Sequence, residues 1–211
     1  MKTFYTRRLP HLDSVGQPIF VTFRLHGSLA PGRVFPKATT SGQAFLMMDR
    51  LLDNPRSGPL HLRNTGIARI VVEAIMYREH HGQYQLHSFV VMPNHVHLLV
   101  TPHAQVSKLM QSLKRHTARE GNQMLGLTGH RFWQEESYDR LVRDDREFNK
   151  IAKYIEMNPV NAGLAATPED FPWSSASCGA GWKPAADWQS AHGQPAEVKS
   201  QTSTLDSRQS G

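Results

Sequence analysis

Residues 83–100 of this 211-residue chain have the sequence QYQLHSFVVMPNHVHLLV. Two runs rich in strand-forming residues, 83–92 and 95–100, lie on either side of a connection that contains Pro93 and Asn94. Because proline has no backbone N–H to donate to a sheet ladder, Pro93 belongs in the turn. The stretch therefore predicts two neighbouring strands joined by a tight connection.

The rest of the chain predicts one more strand and several helices around this pair. Residues 18–25 alternate apolar and polar side chains, as a strand does. Pro159 disfavours helical geometry at Asn158, so we expect the last helix to end there. We predict an α+β fold with an antiparallel sheet and helices packed on one face. The predicted helices cover about 43–52, 65–81, 107–125 and 144–158.

Composition indicates a basic domain followed by a neutral tail. The net charge is +6, and the single cysteine excludes an internal disulfide. Residues 179–211 contain three basic and three acidic side chains and little to bury, so we expect a domain at 1–178 and a disordered C-terminal tail at 179–211. No apolar run is long enough to span a bilayer or to act as a secretory signal. We expect a cytoplasmic protein without membrane contact.

His95 and His97 form a candidate half of a metal site. Side chains two residues apart on a strand point to the same side, so both imidazoles share one face of the sheet. Their Cα atoms are then roughly 6.5–7 Å apart, from which both rings can reach one metal ion. A pair of histidines at this spacing also occurs by chance, and this chain contains 12 histidines.

Tyr154 and Asn158 form a second candidate pair, on the last predicted helix. They are four residues apart, so both project from one side of that helix. An amide oxygen suits Mg²⁺ or Mn²⁺, and a phenol beside such an ion is a candidate nucleophile. A tyrosine that simply packs at the edge of the core fits the spacing equally well. Tyr77, with His81 four residues later, is the one rival pair by the same rule.

Several blocks of the sequence resemble one known family. The segment VVMPNHVHLLV at 90–100 resembles the HUH signature of single-tyrosine transposases. The segment FWQEESYDRLVRDDREFNKIAKYIEMNPVNAGL at 132–164, followed by PWSSA, resembles the C-terminal block of REP-associated tyrosine transposases. RRLPH near the start and FVTFRL at 20–25 are similar to the same subgroup. The resemblance covers most of residues 7–176.

This resemblance implies a fold, a reaction and a set of site residues. It implies a ferredoxin-like α+β domain in which His95, His97 and Asn158 bind Mg²⁺ or Mn²⁺ and Tyr154 is the nucleophile. The implied reaction is cleavage of single-stranded DNA through a 5′-phosphotyrosine intermediate, followed by strand transfer. The implied partner is a palindromic, REP-like hairpin DNA, bound by a monomer or a homodimer.

DNA binding requires cations for the phosphate backbone, and the sequence offers several. Three basic residues of the 107–125 helix share its outward face, although a solvated helix face is the more common reason for such a stripe. For Trp133, a packed core indole is favoured over base stacking. The candidate DNA-binding residues are Arg7, Arg8, Lys108, Lys114, Arg115, Arg119, Arg131, Arg140 and Arg143.

Two rival functions remain open from the sequence. One is a metal-dependent phosphodiesterase that uses water, with Tyr154 as a structural residue. The other is a palindrome-binding protein that does not cut DNA. A covalent protein–DNA adduct that depends on Tyr154 separates the transposase reaction from both.

Overall fold

A computed structural model describes residues 15–29, 41–53 and 58–178 of the chain. Four strands and five helices occur in these ranges, together with the 3-10 turns His61–Arg63 and Pro168–Asp170. The strands are β1 (Ile19–Arg24), β2 (Tyr84–Val91), β3 (His95–Pro102) and β4 (Tyr138–Leu141). The helices are α1 (Ser41–Asp53), α2 (Thr65–His80), α3 (Val106–Leu125), α4 (Asp145–Asn161) and α5 (Ser175–Cys178).

The strands form one antiparallel sheet in the order β2-β3-β1-β4. The chain leaves β1 through α1 and α2 to reach β2, forms the β2–β3 hairpin, and returns through α3 to β4. This order is that of a ferredoxin-like domain. The predicted α+β, ferredoxin-like fold is confirmed.

The two faces of the sheet carry different helices. On one face, Val21 and Leu98 belong to a core cluster that also contains residues of α2 and α3. On the other face, Phe20 and Leu99 pack with Phe45 of α1 and Ile155 of α4. The sequence predicted helices on one face, as α2 and α3 are. The presence of α1 and α4 on the opposite face adds a second layer of helices, and this layer covers the face of the sheet that carries His95 and His97.

The C-terminal part of the fold differs from the prediction at two places. The short strand β4 was not predicted, because its sequence YDRL is too brief and too polar for a clear alternation. The helix predicted to end at Asn158 continues through Pro159 to Asn161. Proline lacks only its own N–H, and the later amides of Ala162 and Leu164 still bond to the carbonyls of Asn158 and Pro159.

The N-terminus of α4 has half of a capping box, in which an N-cap side chain and the residue three positions later would bond to each other's backbone amides. The Asp144 side chain accepts a hydrogen bond from the Glu147 amide at 2.7 Å, as a helix N-cap does. The Glu147 carboxylate instead accepts from the Arg143 amide and from the Arg140 and Arg143 guanidinium groups. Two residues before α4 therefore hold its first turn: Asp144 caps the helix, and Arg143 forms an ion pair with Glu147.

The PWSSA segment, residues 172–176, lies against β2. The Val91 amide donates to the Trp173 carbonyl at 2.8 Å, and the Phe89 amide donates to Ser175 Oγ at 3.1 Å. These bonds attach the end of the described chain to the sheet. The tail predicted at 179–211 lies outside the described residues. No helix among the residues described in the structure is long and apolar enough to cross a membrane.

Candidate active site

His95 and His97 lie side by side on the face of the sheet that α1 and α4 cover. Both side chains are fully buried, and their Nε2 atoms are 3.1 Å apart. The predicted same-face arrangement of the two imidazoles is therefore present. Val96 and Leu98 point into the core on the opposite face. The strand thus anchors itself on one side and presents two ring nitrogens on the other.

A bond network fixes the orientation of the His95 ring. Asn94 Nδ2 donates to the Leu52 carbonyl at 3.0 Å, which leaves Asn94 Oδ1 to accept from His95 Nδ1 at 2.7 Å. The proton therefore resides on Nδ1, and the lone pair on Nε2 points toward His97. Burial and the neighbouring His97 lower the pKa of His95 to about 3, so the ring is neutral near pH 7. This is the protonation state that a metal ligand needs.

The His97 ring is held in a similar way from β1. His97 Nδ1 lies 2.7 Å from the hydroxyl of Thr22, its neighbour in the sheet register. The ring also stacks on Phe20, with centroids 5.6 Å apart. Because Nδ1 is engaged by Thr22, Nε2 remains for the centre of the site.

Asp49 of α1 completes a group of three possible metal ligands. Its Oδ1 atom lies 3.1 Å from His97 Nε2 and 3.6 Å from His95 Nε2. The three ligand atoms lie within 4.8 Å of one another, and all three residues are buried. Burial raises the pKa of Asp49, but His97, His95 and Asn158 outweigh this effect and hold the pKa below its ordinary value.

Asp53 is a second acid at the edge of this group. Its Oδ1 atom lies 3.9 Å from His95 Nε2. Burial and the negative charge of Asp49 raise the pKa of Asp53 to about 7. The two carboxyl groups therefore differ, because Asp49 is held ionised while Asp53 is shifted toward its neutral form.

Sequence reasoning did not identify Asp49. A signal was nonetheless present, because Phe45, Met48, Asp49 and Leu52 occupy the apolar face of one helix at three- and four-residue spacing. An acid on the apolar face of a helix is buried when that face packs on the core. A buried carboxylate then requires a hydrogen-bonding or ionic partner. Which partner it meets depends on tertiary packing that no local pattern shows.

Tyr154 projects from α4 into the same group. Its hydroxyl donates a hydrogen bond to Asp49 Oδ2, and its ring centroid lies 5.8 Å from that of His97. Phe20 and Phe45 contact the phenol ring edge to face, at 6.4 and 6.2 Å between centroids. The aromatic contacts and the carboxylate together set where the phenol oxygen lies. Tyr77, the rival in the sequence, lies on α2 on the opposite face of the sheet.

Asn158 is also buried in the site, on the turn of α4 after Tyr154. Its amide nitrogen lies 3.3 Å from Asp49 Oδ2 and 3.4 Å from His97 Nε2. Its Oδ1 atom is buried without a hydrogen-bond partner in the described part of the chain, and so is Asp49 Oδ1. Asp49 therefore directs a carboxylate oxygen toward the two histidines, whereas Asn158 directs its amide nitrogen toward His97.

The candidate DNA-binding residues are dispersed over the molecule. Lys108, Arg115 and Arg119 lie on α3, which packs on the face of the sheet opposite to His95 and His97. Lys114 is partly buried and donates to the carbonyls of Gln134 and Glu135, so it holds the connection before β4. Burial lowers the pKa of Lys114 to about 8.

The remaining candidates fall in three places. Arg140 and Arg143 share the carboxylate of Glu147 near the start of α4. Arg131 is exposed in the connection after α3. Arg7 and Arg8 lie outside the described residues. Trp133 is a core residue, as favoured from the sequence, and donates from Nε1 to Thr117 at 2.9 Å.

Comparison with known proteins agrees with this fold. A family model described as "Transposase IS200 like" matches residues 62–158, which include β2, β3, α3 and most of α4. Residues 62–158 are therefore similar to the IS200-like transposases. The family match includes His95, His97, Tyr154 and Asn158, whereas Asp49 lies before it.

The chain is also similar to two individual proteins. It is 26% identical over 111 residues to "Putative REP-associated tyrosine transposase" of Haemophilus influenzae, and the match covers 45% of this chain and 60% of that protein. A solved structure of a REP-associated tyrosine transposase bound to a REP hairpin is 18% identical, with a TM-score of 0.50. That comparison covers 87% of this chain and 89% of the other, and it shows a shared fold.

Proposed function

We propose that this chain cuts and rejoins single-stranded DNA, with Tyr154 as the nucleophile and a divalent cation beside it. The observation that carries this proposal is the hydrogen bond from the Tyr154 hydroxyl to Asp49 Oδ2. The other oxygen of the same carboxylate lies 3.1 Å from His97 Nε2. One buried side chain therefore connects the phenol to the two histidines.

The donor set fits a divalent cation. Ligands of an octahedral ion at 2.0–2.1 Å lie roughly 3 Å apart when they are adjacent. The separations of 3.1 Å between the two Nε2 atoms and 3.1 Å between His97 Nε2 and Asp49 Oδ1 match this spacing. A buried carboxylate oxygen without a hydrogen-bond donor is also accounted for by a cation. Imidazole and carboxylate ligands suit Mn²⁺ and Mg²⁺.

Asp49, His95 and His97 would hold the ion, and Asn158 would orient Asp49. When bound, the ion would polarise the scissile phosphate and balance the negative charge that develops on it. The sequence-based assignment of Asn158 as a ligand remains a prediction, which requires its amide to turn so that Oδ1 replaces Nδ2. The two assignments predict different effects on metal affinity. If Asp49 is the ligand, its substitution weakens metal binding more than substitution of Asn158 does, and if Asn158 is the ligand, the order is reversed.

The chain's own residues account for the covalent step. Tyr154 Oη forms a bond to phosphorus while the bond from phosphorus to the 3′ oxygen breaks. The phenol proton is transferred overall to the departing 3′ oxygen, so the products are a 5′-phosphotyrosine and a free 3′-hydroxyl. Attack by a second 3′-hydroxyl reverses the process and joins strands. Since the phosphodiester is exchanged and not hydrolysed, the reaction needs no nucleotide cofactor.

We further propose that the substrate is a palindromic, REP-like DNA hairpin. The support is the named relative and the hairpin-bound transposase that shares this fold. A net charge of +6 also favours a polyanionic partner. A hairpin presents a single-stranded flank beside a stem, and a half-buried phenol requires an unpaired strand that can enter the site.

The test is covalent capture. End-labelled hairpin DNA with a single-stranded flank is incubated with the protein and Mn²⁺, and the products are separated on a denaturing gel. The wild type is expected to form a protein–DNA adduct, and Tyr154→Phe is expected to lose the adduct while retaining DNA binding. Tyr77→Phe is the matched control, because Tyr77 lies on the opposite face of the sheet, and it is expected to form the adduct normally.

Each other outcome assigns a different function. Cleavage without an adduct, retained in Tyr154→Phe, indicates a phosphodiesterase that uses water. Binding without any cleavage indicates a palindrome-binding protein. Either result overturns the proposed role of Tyr154.

A further inference from the structure

We infer that the single strand reaches Tyr154 along a strip formed by Tyr138, Arg140, Arg143 and Lys150, here called the β4–α4 strip. In this inference the strip binds phosphates through its cations and one base through the Tyr138 ring. It rests on the proposed function and adds the path of the strand to it. No residue of the strip is a candidate metal ligand, so its role can be tested apart from the chemistry.

The sheet register places the strip next to the site. His97, Thr22 and Tyr138 lie in one row across β3, β1 and β4. With strands about 4.8 Å apart, the Cα atoms of His97 and Tyr138 are separated by roughly 10 Å. Arg140 pairs with Phe20 in the adjacent row on the same face of the sheet. The row therefore leads from the metal site directly to the outer strand.

The helix brings a second line of side chains to the same place. Lys150 precedes Tyr154 by four residues and Glu147 precedes it by seven, so both lie on the Tyr154 side of α4. At a rise of 1.5 Å per residue, they lie roughly 6 Å and 10 Å from Tyr154 along the axis. Those distances correspond to about two to three nucleotides at 3.4 Å each.

Positive charge is concentrated on this side of the helix. Arg140 and Arg143 share a single carboxylate, Glu147, so the pair retains a positive excess. Lys150 adds a third cation and is exposed. The Arg143 side chain is 72% exposed, so a phosphate can approach it from solvent.

Apart from Glu147, the nearby acids either face away from this side or are engaged in capping the helix. Asp145 precedes Tyr154 by nine residues, which is half a turn around the helix at 3.6 residues per turn. Asp139 alternates with Tyr138 and Arg140 along β4, so it occupies the other face of the sheet. Asp144 is engaged as the N-cap of α4. The side of this region that faces Tyr154 therefore carries an excess of positive charge.

Tyr138 supplies the aromatic surface that a strip for single-stranded DNA needs. Its ring stacks on Phe45, with centroids 4.6 Å apart and planes at 26°. It is only partly buried, and Phe45 in turn contacts the Tyr154 ring. A base placed on Tyr138 would extend this stack toward solvent, as bases do on aromatic platforms of single-strand binding proteins.

The basic residues of α3 provide the contrast. Lys108 and Arg115 are exposed, but α3 packs on the opposite face of the sheet from His97. The sheet lies between them and the phenol, so a short strand engaged by Tyr154 does not reach them. They form a natural control with the same composition, one lysine and one arginine, as the pair Arg143 and Lys150.

The experiment compares two double variants, R143Q/K150Q and K108Q/R115Q, both in a Tyr154→Phe background with Mn²⁺ so that no cleavage occurs. The probe is a fluorescein-labelled single strand too short to form a hairpin, and its affinity is measured over a range of salt. We expect R143Q/K150Q to weaken binding severalfold and to reduce the slope of log affinity against log salt by about 1.4, or 0.7 for each lost phosphate contact. K108Q/R115Q is expected to leave both values nearly unchanged.

A second comparison tests the base platform. Tyr138→Leu is expected to weaken binding on the order of tenfold, whereas Tyr138→Phe, which keeps the ring, retains affinity. The inference is overturned if the α3 pair lowers affinity as much as the strip pair, or if Tyr138→Leu and Tyr138→Phe bind equally. These measurements do not involve cleavage, so the two ideas fail separately: failure of the wild type to form the covalent adduct refutes the proposed function, whereas equal effects of the strip pair and the α3 pair refute the strand path.

Discussion

The Tyr154 hydroxyl donates to Asp49 Oδ2 across 105 residues of sequence, and the other oxygen of that carboxylate lies beside His97. The candidate metal ligand and the hydrogen-bond acceptor for the phenol are therefore the same side chain. Any change at Asp49 is expected to alter both metal affinity and the position of the phenol, and the first prediction separates this residue from Asn158.

Asp49→Asn is expected to weaken Mn²⁺ binding by at least about tenfold, the effect seen for orienting residues alone, because a buried anionic oxygen is lost. Asn158→Ala is expected to weaken it less, since its amide nitrogen, and not its oxygen, faces the site. Isothermal titration calorimetry of both variants measures the difference. If Asn158→Ala has the larger effect, Asn158 is a ligand as the sequence suggested.

Thr22→Val tests the support of the His97 ring. The substitution preserves shape but removes the 2.7 Å contact to Nδ1, so the ring loses its fixed orientation. Metal affinity is expected to fall about 10–100-fold. Thr101→Val is the matched control, because it breaks a similar 2.7 Å contact to His87 outside the site. Equal affinity of the two variants for Mn²⁺ would show that Thr22 does not position His97.

Lys114 and Arg115 are adjacent but are expected to have different roles. Lys114→Met removes the donors to the carbonyls of Gln134 and Glu135, and should lower the free energy of unfolding by about 1–3 kcal/mol. Arg115→Met removes an exposed side chain and should leave stability nearly unchanged. Thermal and urea unfolding measure both effects.

The Lys114 pKa also predicts a pH dependence. The pKa is lowered to about 8 in the folded protein, whereas the unfolded value is near 10.5. Between these values the unfolded chain binds more protons at this site, so the stability of the wild type rises with pH. The difference in unfolding free energy between wild type and Lys114→Met is therefore expected to grow from pH 8 to pH 10. A difference that is constant over this range would contradict the lowered pKa.

Gly121→Ala is expected to destabilise the contact between α3 and the residues before β4. A Cβ atom at this position would lie 2.8 Å from Cε2 and 2.9 Å from Cζ of Phe132. Overpacking of this kind costs about 1–3 kcal/mol, which unfolding experiments can detect. Phe132→Leu should relieve part of the clash, so the two substitutions together are expected to cost less than the sum of their separate effects.

Local patterns predicted the parts of this molecule that depend on near neighbours in sequence. The i, i+2 spacing of His95 and His97 and the i, i+4 spacing of Tyr154 and Asn158 each predicted a shared face, and the structure brings both pairs into one site. Strand alternation and helix periodicity indicated an α+β fold with an antiparallel sheet, whereas the ferredoxin-like form was implied by the family resemblance. The shared faces of the two residue pairs follow from backbone geometry alone.

The parts that local patterns did not predict depend on distant contacts. Asp49 gains its role only when α1 packs across the sheet against β3 and α4. β4 is stable because it pairs with β1, and its own residues give little strand signal. The continuation of α4 beyond Pro159 depends on amides that follow the helix. Each of these required knowledge of which elements meet.

The attachment of residues 173–175 to β2 has a consequence for association between molecules. The outward amides of Phe89 and Val91 already have partners within the same chain, Ser175 Oγ and the Trp173 carbonyl. A strand from a neighbouring copy cannot pair with this half of β2 unless it first displaces that segment. The PWSSA block thereby protects the sheet from edge-to-edge aggregation at the strand whose end leads into the hairpin that carries His95 and His97.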